Sequence, residues 1–120
     1  MANTPAASAS RAVILMTAQR MHRLSVQRGF YFYTSLLKNP PWLIMLDLFI
    51  SGLTGMPANP ASLKISNKLT EEELRTAIGQ MVEAGLIKLC EDDLIELTPS
   101  GEKQMDGFIR EILASRDGSA

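Results

Sequence analysis

The sequence predicts a mainly α-helical fold with one small β-hairpin. Three observations point there. Apolar residues recur at three- and four-residue spacing in four long stretches, which is the period of a helix with one buried face. Two short β-prone runs, Leu86–Leu89 and Leu94–Leu97, flank the polar turn Glu91-Asp92-Asp93. Cap and breaker residues stand where each helical pattern begins or stops.

The chain has 120 residues, the size of one ordinary domain, and 46% of them are apolar but only 6% aromatic. Its core must therefore be built from Leu, Ile, Met and Ala. The Ala-, Ser-, Asn- and Pro-rich stretch 1–10 reads as a disordered tail.

From Arg11 to about Gln27 the chain is a basic amphipathic helix. Ile14, Ala18, Met21 and Leu24 share one stripe, and Arg20, Arg23 and Gln27 the adjacent one. Gly29 is expected to end it. Phe30-Tyr31-Phe32-Tyr33 is β-prone and is expected as a short strand or extended segment. The residue before a proline avoids the α region, so Asn39-Pro40-Pro41 closes this part, 11–40.

The main module is expected over 41–115. Pro41 suits a first helical position, and Trp42, Met45, Leu46, Phe49 and Leu53 follow at helical spacing, making this the most apolar and central helix. Thr54-Gly55 and Pro57 end it. Asn59-Pro60 opens a short helix to Ser66 with Leu63, and Ile65 beside it, inward. After the turn Asn67-Lys68-Leu69, Thr70 and Glu73 form a capping box for a helix to about Ala84. Leu74, Ile78 and Met81 are its buried stripe, with Ala77 and Val82 flanking, and Gly85 follows as the C′ glycine. After the hairpin, Thr98-Pro99 starts a last helix with the stripe Met105, Phe108, Ile109, Ile112 and Leu113. Residues 116–120 are expected to fray.

Composition also limits the chemistry. One cysteine, Cys90, cannot form an internal disulfide, and with one histidine, His22, it cannot make a four-ligand zinc site. No nucleophile elbow, Gly-rich phosphate loop or EF-hand spacing is present. His22 has no acid near it in sequence and reads as a solvated or packing histidine. The expectation is no enzyme, no cofactor and no metal. The only early apolar run, Ala12–Met16, is too short for a signal peptide, and Leu43–Ile50 holds Asp47 and is too short to span a bilayer. A cytoplasmic protein without a membrane partner is expected.

The net charge of −1 hides an asymmetry. Residues 1–40 hold Arg11, Arg20, Arg23, Arg28 and Lys38 and no acid, a charge of +5; residues 41–120 hold 7 bases and 13 acids, a charge of −6. A basic arm of this kind can serve an interaction, or it can pack against the acidic body.

Two helices joined by a tight turn, then a hairpin and a further helix, is the order of a winged helix-turn-helix, here with extra N- and C-terminal helices. The segments NPPWLIMLDLFISGL, LTEEELRTAIGQMVEAGLI and IELTPSGEKQM resemble the small members of the MarR-type winged-helix regulators over about residues 28–113. The resemblance implies a cytoplasmic transcription regulator that binds duplex DNA as a homodimer and reads the major groove with the helix 70–84. On that helix Arg75, Thr76 and Gln80 are the outward residues suited to base edges. Lys64, Lys68, Arg20 and Arg23 would meet phosphates. Ile14, Met21 and Leu24 with Phe108, Ile109, Ile112 and Leu113 would form the twofold interface of terminal helices.

The sequence departs from such a regulator in its charge. Glu71, Glu72 and Glu73 open the reading helix and the wing turn is wholly acidic, whereas phosphate neutralisation dominates affinity for a duplex. The alternative is therefore a winged helix turned to protein interaction, its acidic surface binding a basic partner or mimicking DNA.

Overall fold

The computed structural model describes the backbone of residues 10–32 and 38–118. Of the tail expected at 1–10 all but Ser10, with Tyr33 of the aromatic segment and the last two residues, lie outside them. The order is α1 (Arg11–Phe32), α2 (Pro40–Thr54), α3 (Pro60–Ser66), α4 (Glu71–Glu83), β1 (Ile87–Leu89), a 3-10 turn (Glu91–Asp93), β2 (Ile95–Leu97) and α5 (Pro99–Gly118). The described chain is mainly helical with one two-stranded antiparallel hairpin.

Each helix starts on a side-chain cap, which satisfies an amide that has no partner within the helix. Ser10 Oγ accepts from Val13 N (3.2 Å), Asn39 Oδ1 from Trp42 N (3.3 Å) and Asn59 Oδ1 from Ser62 N (2.8 Å). Thr70 Oγ1 accepts from Glu73 N (3.0 Å) and Thr98 Oγ1 from Gly101 N (3.0 Å). Asn59 with Ser62, and Thr70 with Glu73, form reciprocal capping boxes. At the far ends, Gly55 (φ 73°) and Gly85 (φ 75°) take the left-handed conformation that stops α2 and α4.

α2 is central: it packs on α1, α4, β2 and α5. Leu43, Ile44, Leu46, Leu48 and Phe49 are buried along it. Around them lie Ile14 and Ala18 of α1, Leu63 of α3, Leu74, Ala77 and Met81 of α4, Ile87 and Ile95 of the hairpin, and Met105 and Ile109 of α5. In the hairpin Ile87 faces Leu97, Lys88 faces Glu96 and Leu89 faces Ile95. The outer edge of β2 is pinned to the α2–α3 loop by Ile95 N donating to Ala58 O at 2.9 Å. Gly101 is buried where α5 meets the hairpin, and a Cβ there would collide with the carbonyl oxygen of Leu86.

Several expectations are corrected. α1 does not stop at Gly29 but continues through Phe30 and Tyr31 to Phe32, so this stretch is neither strand nor extended. A helix already docked through Ile14 and Ala18 outweighs a glycine cost of about 1 kcal/mol and a β preference of about the same size. α2 begins at Pro40, one residue earlier than expected, because Asn39 is its cap. Ile65 is 77% exposed rather than inward, since a helix of 7 residues buries one position, Leu63. Val82 is likewise exposed while Ala77 is buried. α5 extends to Gly118, past the module end expected at Ser115.

Candidate nucleic-acid interface

α4 is set by a tight turn. Asn67 ends α3, Lys68 takes a left-handed conformation (φ 54°), and buried Leu69 brings the chain to the Thr70 cap. Leu74, Ala77 and Met81 then fix the inward face of α4, which leaves Glu72, Arg75, Thr76, Gly79, Gln80 and Glu83 exposed. The three residues expected at base edges, Arg75, Thr76 and Gln80, thus share a solvent-facing surface. At 100° per residue, the line directly opposite the core runs Glu72, Thr76, Gly79, Glu83, with Arg75 on one flank and Gln80 on the other. A carboxylate sits at each end of that line.

The expected phosphate contacts fare unequally. Arg20 and Arg23 are exposed on α1, and Lys68 is exposed in the turn. Lys64, however, is bound to Glu71 at 3.1 Å. Lys38, from the basic N-terminal part, bonds to Glu73 at 3.0 Å and to the Lys68 carbonyl at 2.9 Å. Partial burial raises the Glu73 carboxyl, but the Thr70 backbone N–H and the Lys38 ammonium outweigh it and hold Glu73 below its ordinary value. Two of the three acids that open α4 are therefore already matched with bases of the same chain. The wing turn is different: Glu91, Asp92 and Asp93 are all exposed, with Asp92 (φ 60°) and Asp93 (φ 61°) left-handed, a conformation Asp tolerates. Lys88 approaches Glu96 at 3.8 Å across the hairpin, and both are half-exposed.

A polar network lies behind the turn. His22 of α1 bonds through Nε2 to Asn67 Oδ1 at 2.6 Å. Asn67, 1% exposed, donates through Nδ2 to Asp47 Oδ2 at 2.9 Å and to Leu63 O at 2.8 Å. Ser66 Oγ also donates to Asp47. His22 is thus a packing histidine with a specific partner rather than a solvated one. Sequence separations of 45 and 20 residues leave no local signal for this network.

The residues expected at a dimer interface divide. Ile14, Ile109 and Leu113 are buried in the core of their own chain, and Met21 packs against it. A single chain therefore already covers these residues, because α1 and α5 both dock on α2. Ile112 is half-buried. Leu24 and Phe108 remain open, 52% and 47% exposed, Phe108 with its ring edge-on to Trp42 at 5.4 Å.

Among the described residues no group of three His, Cys, Asp or Glu side chains is placed to hold a metal ion. No helix among them is long and apolar enough to cross a membrane. Comparison with protein-family models, curated proteins and solved structures found no match to this chain.

Proposed function

We propose that the chain is a MarR-like transcription regulator of the cytoplasm, a winged helix-turn-helix that binds duplex DNA as a homodimer with α4 in the major groove. The observation that carries this reading is the exposed face of α4, where Arg75, Thr76 and Gln80 stand clear of the core on a helix capped at Thr70. The major groove admits one helix; there Arg pairs with guanine, Gln with adenine, and a Thr methyl packs on thymine. Lys68, Arg20 and Arg23 take phosphates. Lys64 joins them if the duplex displaces Glu71. Of the residues expected at the interface, Leu24 and Phe108 are the ones open to a second copy. The reading includes no catalytic step, metal or cofactor.

A second reading has its own support. Glu72 and Glu83 bracket the outward line of α4, and all three wing acids are exposed. That surface suits a basic protein partner, which the acidic module would bind as a substitute for DNA.

Titrating duplex DNA of random sequence at rising salt separates the two. Three phosphate-contacting bases per protomer in a dimer give a slope of log affinity against log salt of about −5. Absence of binding at about 50 mM salt would sink the DNA reading and leave the protein partner. Arg75→Ala is then expected to relax sequence preference and Lys68→Ala to weaken all sequences alike. Sedimentation of Leu24→Asp tests the dimer; a mass unchanged from that of a dimeric wild type counts against α1 in the interface.

A further inference from the structure

A cleft of about 570 Å3 opens between the C-terminal end of α2 and the strand β2, and no residue of α4 lines it. Its volume falls within the range of roughly 300–1,000 Å3 that small-molecule sites occupy. Leu48, Phe49 and Leu53 of α2 give it an apolar wall.

Its lining carries charges of both signs. Arg11, from α1, lies at the α2 side and donates Nη2 to the Leu53 carbonyl at 2.8 Å. This bond fixes the guanidinium while using one of its five N–H donors. Glu96 and Glu102 line the cleft from β2 and α5. Both are exposed, and Glu96 meets Lys88 only at 3.8 Å.

The backbone adds an anchor for one residue of an extended chain. Thr98 N donates to Leu86 O, and Cys90 N donates to Leu94 O. Those pairs, and Lys88 with Glu96 between them, are therefore the hydrogen-bonded ones of the ladder. Ile95 and Leu97 turn their N–H and C=O to the outer edge. Ile95 N uses that edge on Ala58 O. At Leu97 the loop no longer follows β2, because Met56 N is drawn to Ser51 O at 3.1 Å. The N–H and C=O of Leu97 are left on the cleft side of β2, spaced to exchange both bonds with the N–H and carbonyl oxygen of one residue of an extended chain.

We infer that this cleft binds a short apolar peptide with both termini free, of about dipeptide size. Its carboxylate lies on Arg11, its ammonium on Glu96 and Glu102, one of its residues pairs with Leu97 through that residue's N–H and carbonyl oxygen, and its side chains lie on Leu48, Phe49 and Leu53. A plain anion would meet two carboxylates and a plain cation a guanidinium, so a ligand carrying both charges complements the site better than either. The inference does not depend on DNA binding.

The test uses the full chain and four probes with one apolar body: leucyl-leucine, its N-acetyl form, its C-terminal amide and the doubly blocked compound. Calorimetry gives affinity, and amide NMR shifts of Leu97 and Ala58 locate binding. Leucyl-leucine is expected to bind tightest, and blocking either end to weaken it about fivefold, as for a partly exposed ion pair. Arg11→Gln should remove the penalty for amidation, and Glu102→Gln should reduce the penalty for acetylation. Gly52 lines the cleft on the exposed surface of α2, and a side chain there meets nothing within 4 Å. Gly52→Leu should therefore block binding while leaving the fold intact, which a thermal melt verifies. The inference is overturned if the doubly blocked compound binds as tightly as the free dipeptide. It is also overturned if Leu97 and Ala58 do not shift at about 10 mM probe, or if Gly52→Leu retains full affinity.

Discussion

The imidazole of His22 donates through Nε2 to the side-chain oxygen of Asn67 at 2.6 Å, tying the basic first helix to the turn that aims α4. The direction of this bond is fixed by the far side of the amide. Asn67 Nδ2 is occupied by Asp47 and by the Leu63 carbonyl, which can only accept, so Oδ1 is left as the acceptor and His22 Nε2 must carry the hydrogen.

Asn67→Ala is accordingly expected to cost about 2–4 kcal/mol, since it strands His22, takes one of two donors from Asp47 and leaves a hole at a fully buried site. His22→Gln keeps a donor in reach and should cost less. Urea denaturation of the two variants checks the order; an equal or larger loss for His22→Gln would contradict it.

Two glycines of α5 should respond to alanine with opposite signs. Gly101→Ala drives a Cβ into the Leu86 carbonyl, and overpacking against backbone costs about 1–3 kcal/mol. At Gly107 an added Cβ meets nothing within 4 Å, so Gly107→Ala should gain up to about 1 kcal/mol from helix propensity. Thermal melts of both decide it.

Gly79→Ala separates folding from recognition. A Cβ there is also unopposed, so the variant should be more stable by up to about 1 kcal/mol. Gly79 lies on the line of α4 opposite the core, where a groove or partner would approach most closely. Under either reading of that face, binding should weaken although stability rises. A variant that is stabilised and binds unchanged would remove the outward line from the interface.

The capping box gives a pH prediction. Glu73 is held below its ordinary value of 4.5, so its ionised form is favoured by folding. Its contribution is complete above that value and is lost as pH falls through it and below. Glu73→Gln should therefore flatten the fall of melting temperature between about pH 5 and pH 3. Thr70→Ala, which removes the cap itself, should cost about 1 kcal/mol at neutral pH. A wild-type acid slope preserved in Glu73→Gln would show that other carboxylates govern it.

What could be read in the sequence was local. Thr70 with Glu73, Asn59 with Pro60, and Gly85 after Ala84 each announce a helix end within four residues, and the stripes of α2 and α4 follow from spacing alone. What could not be read depends on distance. α1 passes Gly29 because it is already docked on α2. Lys64 and Lys38 are matched with Glu71 and Glu73 across a turn and across 35 residues, so the acidic start of α4 carries less open charge than its sequence suggests. Ile14, Ile109 and Leu113 looked spare because a helical stripe does not say whose core it enters. For the peptide cleft there was no sequence signal at all: Arg11, Leu97 and Glu102 meet only once the chain is folded. The Ser10 cap was a local signal hidden by its setting, a Ser among the alanines and serines of an otherwise featureless stretch.

The five caps, at Ser10, Asn39, Asn59, Thr70 and Thr98, bear on the order of events during folding. Each places its helix start using residues no more than three positions away. No helix has to wait for a distant contact to establish its register, and contacts of short sequence separation close quickly. The slow events are then long-range. The hairpin must find Ala58, the His22 ring must reach Asn67, and α5 must return to pack on α1 and α2.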